Sequence, residues 1–162
     1  MLRVGQGFDV HRFSDDPGRA LVLGGVVLDG ETGLAGHSDA DVVAHAVCDA
    51  LLGATGLGDL GGHFPDDDPK WRGASSISLL ENVMGMVADV GFRALNADCT
   101  VVCEKPRLAP HTGDMSSRLA QVLGGPVSVK AKRAEGLGAL GRVEGIACLA
   151  VVLVSSAESD FR

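Results

Sequence analysis

Residues 5–13 read GQGFDVHRF, and the reading of this stretch decides between two folds. Gly5 and Gly7 open a G-x-G, the beginning of the G-x-G-x-x-G turn on which a dinucleotide-binding sheet seats a pyrophosphate. The third glycine of that pattern would fall at position 10, where Val10 stands, and no helical stretch follows. The segment is therefore read as a strand in which the two glycines permit close backbone approach or a bulge. Residues two apart on a strand project from one face, so Asp9 and His11 point the same way. Two ligands of one ion can sit there.

Working outward, residues 2–13 and 19–28 (RALVLGGVVL) are apolar and β-branched and are joined by the turn signal SDDPG, which predicts a hairpin. Ser38 precedes the helical stretch ADVVAHAVCDALLGA, and Asp41 three residues on completes a start like a capping box. That helix is expected to run to about Gly53. Helix starts favour acids, so Asp39 and Asp41 are read as caps and not as metal ligands. A second helix fits SSISLLENVMGMVADVG, where Ile77, Leu80, Met84 and Val87 recur at helical spacing and Gly91 ends the run. Strands follow at ALNADCTVVCEK, PVSVKAK and GIACLAVVLVS, with a third helix over residues 109–123. The order ββααβαββ predicts an α/β (α+β) fold, a mixed sheet covered by helices on one side. A single domain is expected over residues 1–157, with a C-terminal tail at 158–162. Between the first two helices lies TGLGDLGGHFPDDDPKWRGA, a long stretch of little periodicity, and such loops inside a compact domain are usually functional.

The totals narrow the partners. At 162 residues and 46% hydrophobic content, with mean hydropathy +0.22, the chain can bury a real core. A net charge of -7 disfavours a nucleic-acid polymer, whose binding needs clustered cations. The longest apolar run, Ile146 to Val154, is far shorter than the roughly 20 residues that span a bilayer, and the N-terminus lacks a signal core. A cytoplasmic protein without membrane contact is expected. The four cysteines at 48, 99, 103 and 148 form no CxxC pair and are read as reduced core thiols.

To Asp9 and His11 the first helix adds His45, with His37 just before its start. One acid and two histidines leave a position open for substrate, as in a catalytic zinc site. Asp41 and Asp49 flank His45 at i-4 and i+4, so either can orient its ring. The plainer alternative is a D-x-H closing a strand and a buried, hydrogen-bonded histidine. Asp66, Asp67 and Asp68 in FPDDDP can hold a hard cation or sugar hydroxyls, or simply mark a solvated turn. Late in the chain stand Lys105, Arg107, Lys130, Lys132, Arg133 and Arg142, near glycine-rich turns that suit phosphates. No G-x-S-x-G, P-loop or Cys-His signature is present, so nothing points to a covalent nucleophile.

The opening G-x-G-F-D-V-H, the block HSDADVVAHAVCDALLGATGLGDLGGHFPDDDP, the segment EKPRLAPH and the end VKA...EGLGALGRVEGIAC together resemble the 2-C-methyl-D-erythritol 2,4-cyclodiphosphate synthases of the non-mevalonate isoprenoid pathway. The resemblance runs in order from Arg3 to about Val154. It implies conversion of 4-diphosphocytidyl-2-C-methyl-D-erythritol 2-phosphate to the cyclic diphosphate and CMP. The substrate's own 2-phosphate attacks its β-phosphorus, which suits a site without a nucleophile of its own.

By position, the resemblance implies one zinc per subunit on Asp9, His11 and His45, and a second divalent ion, magnesium or manganese, held with help from Glu135. His37 and Arg133 would act at the reacting phosphorus, and Ser38 would contact phosphate. Val10, Asp59, Leu60, Gly61, Phe64, Pro65, Asp66, Asp67 and Asp68 would surround the erythritol, the long loop ordering as substrate binds. Cys103, Glu104, Lys105, Pro106, Arg107, Leu108 and Ala109 would hold cytidine, and Lys132, Arg133, Ala134 and Glu135 would approach the α-phosphate. The family assembles as a homotrimer with active sites between subunits, Arg142 and Glu144 falling near the trimer axis. Two departures stand out. Lys132, Arg133 and Ala134 replace the usual threonines, and Ala139 stands where an aromatic residue is common. A zinc hydrolase acting through metal-bound water, or a nucleotide- or metal-binding module, is the competing reading.

Overall fold

The structure, a computed structural model, describes residues 1–156, so the expected tail at 158–162 lies outside the described residues. Strand β1 (Leu2–Arg12) is followed by two short strands, β2 (Leu21–Leu23) and β3 (Val26–Leu28), and by helix α1 (Val42–Thr55). A one-turn helix α2 (Leu60–His63), a 3-10 turn at Pro69–Trp71 and helix α3 (Ser76–Asp89) lead into β4 (Phe92–Val102). Helix α4 (Thr112–Leu123), strand β5 (Val127–Lys132), a short α5 (Gly138–Gly141) and β6 (Gly145–Ser156) complete the order.

The main sheet runs β1-β6-β4-β5. Its first three strands are antiparallel neighbours, and β5 lies parallel to β4, the crossover being made by α4. The expected mixed sheet is present, and α1, α3 and α4 pack on it. Alternation along the strands sorts the faces: Gly5, Gly7, Cys148, Ala150 and Val152 are buried, while Val4, Phe8, Val10, Leu149 and Val151 are exposed. One contiguous core fills the helical side. All four cysteines are buried and free.

Three expectations require correction. Residues 2–13 do not form a hairpin with residues 19–28; β1 pairs along its whole length with β6, from Leu2 opposite Ser155 to Arg12 opposite Gly145. The second segment folds on itself instead, because Gly24 and Gly25 both adopt positive φ (57° and 73°), the backbone of a two-residue hairpin turn. Ser38 does not cap α1. Asp41 does, accepting from the N–H groups of Val43 and Ala44, and the helix continues past Gly53 to a left-handed Gly56. The long loop is also less irregular than its sequence implies, since Asp59 caps α2 and Asp68 caps the 3-10 turn.

The two glycines of the opening stretch are explained by α1. A Cβ on Gly5 would lie 1.8 Å from the Ala50 carbonyl oxygen, and one on Gly7 would lie 2.0 Å from that of Ala46. Both obstacles are helix backbone, which cannot swing aside as a side chain can. The bare strand thus lets α1 lie against it. Gly7→Ala is expected to destabilise the protein by about 3 kcal/mol in urea unfolding. Gly53→Ala, on the exposed side of α1 with nothing within 4 Å, should raise stability by about 0.5–1 kcal/mol. Equal stabilities for the two variants would rule out the close approach as the reason for Gly7.

Candidate metal centre and its cavity

Asp9 and His11 project from the helical face of β1, and His45 comes down to meet them from the first turns of α1. Asp9 Oδ2 lies 3.2 Å from His11 Nε2 and 3.0 Å from His45 Nδ1. The three donor atoms fall within 4.8 Å of one another, the only such cluster among the described residues. Each imidazole is held by its other nitrogen. His11 Nδ1 lies 2.7 Å from the carbonyl of Ala35, which can only accept, so Nδ1 carries a proton; the protonated ring donates from Nε2 to Asp9, and the neutral ring leaves the Nε2 lone pair for a cation. His45 Nε2 lies 2.8 Å from Ser76 Oγ and 3.2 Å from Ser38 Oγ. One carboxylate and two imidazoles, each buttressed from behind, suit a divalent cation.

Asp41 and Asp49 do not orient His45, contrary to the helical spacing. The Asp41 carboxylate is occupied by the N–H groups of Gly24, Gly25, Val43 and Ala44, and Asp49 accepts from Leu60 N–H at 2.8 Å. Ser38 and Ser76 take that place. Ser76 could not be found from sequence, because its neighbourhood with His45 arises only when α3 packs on α1.

The electrostatics follow from this crowding. Burial works to raise the pKa of Asp9, but the hydrogen bonds and charge of His11 and His45 outweigh it and hold the carboxyl far below its usual range. Burial likewise works to lower the pKa of His11, and the Asp9 carboxylate, aided by the Ala35 carbonyl, carries it above the ordinary value.

The cluster opens into a cavity of about 250 Å³ lined also by His37, Ser38, Asp49, Leu60, Gly61, Phe64, Asp66, Trp71 and Leu79. The long loop forms one wall. Phe64 meets Trp71 edge to face, ring centroids 4.8 Å apart, and His37 Nε2 lies 3.0 Å from the Asp68 carbonyl. Arg19 donates to the carbonyls of Leu34 and Ser38, pinning the segment that carries His37. Of the residues expected around the erythritol, Asp59, Pro65, Asp67 and Asp68 do not line this cavity, and Val10 lies on the exposed face of the sheet. Trp71, Leu79 and Asp49 line it unforeseen.

A second cavity, of about 510 Å³, is formed by residues 103–109 together with Ala131, Lys132 and Arg133. It gathers Cys103, Glu104, Lys105, Pro106, Arg107, Leu108 and Ala109 as the sequence suggests, but shares no lining residue with the first. Arg133 pairs with Glu104 through Nε at 3.0 Å and through a second guanidinium nitrogen, and this holds the Glu104 carboxyl below its usual pKa. Ala134 and Glu135 line neither cavity, and Arg142 pairs with Glu144 at 2.6 Å. No helix among the described residues is long and apolar enough to cross a membrane.

Fold and donor set together define an α/β protein built around a site for a divalent cation. The sequence model of the YgbB family matches residues 2–155, and the chain belongs to that family. It is 52% identical over 157 residues to the 2-C-methyl-D-erythritol 2,4-cyclodiphosphate synthase of Symbiobacterium thermophilum, covering 95% of this chain and 99% of that protein. It is 54% identical to the bifunctional enzyme IspD/IspF of Anaeromyxobacter sp. (strain Fw109-5), covering 94% of this chain but only 40% of that longer protein. Among solved structures, the bifunctional IspDF of Campylobacter jejuni superposes with a TM-score of 0.91 at 40% identity, over 96% of this chain and 42% of that one. A 2C-methyl-D-erythritol-2,4-cyclodiphosphate synthase in a CDP-bound form gives 0.84 at 36% identity, over 94% of this chain and all of that one.

A metal at this cluster must displace the proton from His11, while Asp9 is already ionised at any ordinary pH. Metal affinity is therefore expected to fall about tenfold per pH unit once the pH drops below the raised pKa of His11. Chelator competition between about pH 8 and pH 5 measures this. A flat profile would remove His11 from the ligand set.

Proposed function

We propose that this chain converts 4-diphosphocytidyl-2-C-methyl-D-erythritol 2-phosphate to 2-C-methyl-D-erythritol 2,4-cyclodiphosphate and CMP, a phosphorus-oxygen lyase step of isoprenoid precursor synthesis in the cytoplasm. The observation that carries the proposal is the convergence of Asp9, His11 and His45 at the floor of a walled cavity, in a chain of the YgbB family. In the reaction an oxygen of the substrate's 2-phosphate forms a bond to the β-phosphorus. The bond from that phosphorus to the oxygen bridging to the α-phosphate breaks, and CMP departs with the oxygen. The sequence carries no G-x-S-x-G or Cys-His signature, which matches a reaction whose nucleophile belongs to the substrate.

Asp9, His11 and His45 would hold zinc, which when bound would supply Lewis-acid polarisation of the β-phosphate. The protein's own task is to fold a flexible, highly charged substrate so that its two phosphates meet, which removes much of the entropic barrier. His37, its ring braced on the Asp68 carbonyl, and Ser38 contact the phosphates from the helix side. Leu60, Gly61, Phe64 and Asp66 of the cavity wall would surround the erythritol, and Val10, Asp59, Pro65, Asp67 and Asp68 are assigned to the same group by the family resemblance alone. Residues 103–109 would receive cytidine, with Lys132 and Arg133 of the same cavity toward the α-phosphate; Ala134 and Glu135 follow them in the chain, and Glu135 would help to hold magnesium or manganese.

The two cavities share no residue within one chain, and this supports a site completed by a neighbouring subunit of a homotrimer. The exposed apolar face of the sheet, with Val4, Phe8, Val10, Leu149 and Val151, offers the surface for that assembly. Arg142 and Glu144 then fall near its axis. Light scattering is expected to give three times the 16.6 kDa chain mass, and a fully active monomer would overturn the shared site.

The reaction itself is tested by phosphorus NMR of the purified protein with the cytidyl substrate, zinc and magnesium. Equal amounts of cyclic diphosphate and CMP are expected. A linear erythritol phosphate would mean hydrolysis, and binding without turnover would mean a nucleotide-binding module. His45→Ala is expected to lose most bound zinc and activity while remaining folded; an unchanged zinc content by elemental analysis would exclude His45 as a ligand.

A further inference from the structure

Behind His45 runs a polar chain that neither the family resemblance nor the cavity requires. His45 Nε2 lies 2.8 Å from Ser76 Oγ, and that hydroxyl in turn hydrogen-bonds Asp39 Oδ1. Ser76 is fully buried at the first turn of α3, and His45 is nearly so. Asp39 also accepts from the backbone N–H of Ser76 at 3.0 Å through its other oxygen, and from that of Asp41 at 3.3 Å. The start of α3 is strapped to the same segment by Asp39 N–H on the Ala74 carbonyl and by Gly73 N–H on the His37 carbonyl, at 3.0 and 2.8 Å. Ser75, the residue in the cap position of α3, makes no capping bond with its side chain, so Asp39 caps that helix from a distance.

Hydrogen-bond direction along this chain is forced. A carboxylate that accepts from two backbone N–H groups accepts from the Ser76 hydroxyl as well, so Ser76 spends its one proton on Asp39. Ser76 then has only lone pairs to offer His45. Ser76 is the nearer of the two hydroxyls at His45 Nε2, at 2.8 against 3.2 Å for Ser38, so it draws the ring proton to Nε2. With a cation on the side of Asp9 and His11, the Nδ1 lone pair is left to face it. We propose that Asp39 and Ser76 are positioning residues that set the tautomer of His45, acting through the ring and never touching the metal. The proposal rests on the metal reading of Asp9, His11 and His45. It also ties that ligand to α3, whose first turn follows directly on the loop that walls the cavity.

Asp39→Asn keeps the shape but introduces N–H donors, so Ser76 can accept from residue 39 and point its proton at His45 instead. Long-range proton–nitrogen NMR of the zinc-loaded protein with labelled histidine reads which ring nitrogen is protonated. The native protein is expected to show His45 protonated on Nε2 and metal-shifted on Nδ1. Asp39→Asn should move proton density to Nδ1 and weaken zinc binding 10- to 100-fold in chelator competition. Ser76→Ala, which removes the nearer acceptor and leaves Ser38 Oγ at 3.2 Å, should weaken zinc binding toward the lower end of the same range. Native His45 protonated on Nδ1, or folded variants that keep native zinc affinity and native ring shifts, would overturn the proposal. The native spectrum decides it even where a variant does not fold. Failure of the native protein to bind zinc would instead remove the metal reading and the proposal with it, whereas zinc binding with His45 protonated on Nδ1 would overturn the proposal alone.

Discussion

The approach of α1 to β1 is the constraint from which the rest of the site follows. Gly5 and Gly7 present no side chains to the helix, and Ala46 and Ala50 answer them one helical turn apart. Small residues on both surfaces bring the two backbones closer than ordinary side chains permit. Asp9 and His11 continue the same face of the same strand, and His45 lies next to Ala46 on the helix. The packing distance of a helix on a sheet thereby becomes the distance between metal ligands. Further along the strand the residues grow from glycine to aspartate and histidine, and the gap that glycine closes at one end widens into a donor cluster and a cavity at the other.

Much of this was legible in the sequence, for reasons that differ by residue. Helix α3 announced itself through Ile77, Leu80 and Val87, which are buried as the spacing requires, and β4, β5 and β6 through β-branched runs. Asp9 and His11 needed only the period of a strand. The pairing of β1 was illegible, because its partner is remote in sequence and a hairpin is the cheapest local alternative. The true start of α1 was hidden because Ser38, Asp39 and Asp41 are all good capping types, and tertiary contacts divide the work among them. Asp41 caps α1, Asp39 caps α3, and Ser38 hydrogen-bonds His45. Ala40 between them takes a left-handed φ of 58°, a turn that separates the two acids toward different helices.

In the second cavity Arg133 brings a full positive charge, and Glu104 answers it. A planar guanidinium held by a carboxylate has a set orientation, and phosphate can compete for the same donors. The exposed ion pair thus makes a polar contact at that rim sensitive to salt.

In the main sheet, among the described residues, the strand that carries Asp9 and His11 has β6 as its only hydrogen-bonded neighbour, Asp9 standing opposite Cys148 and His11 opposite Ile146. During synthesis on the ribosome the first two ligands therefore emerge early and wait, without a sheet to hold them, until nearly all the described chain has been made. His45 and its helix are available long before that strand arrives. The donor cluster is complete only once β6 lies between β1 and β4, so its geometry depends on the last strand of the described chain.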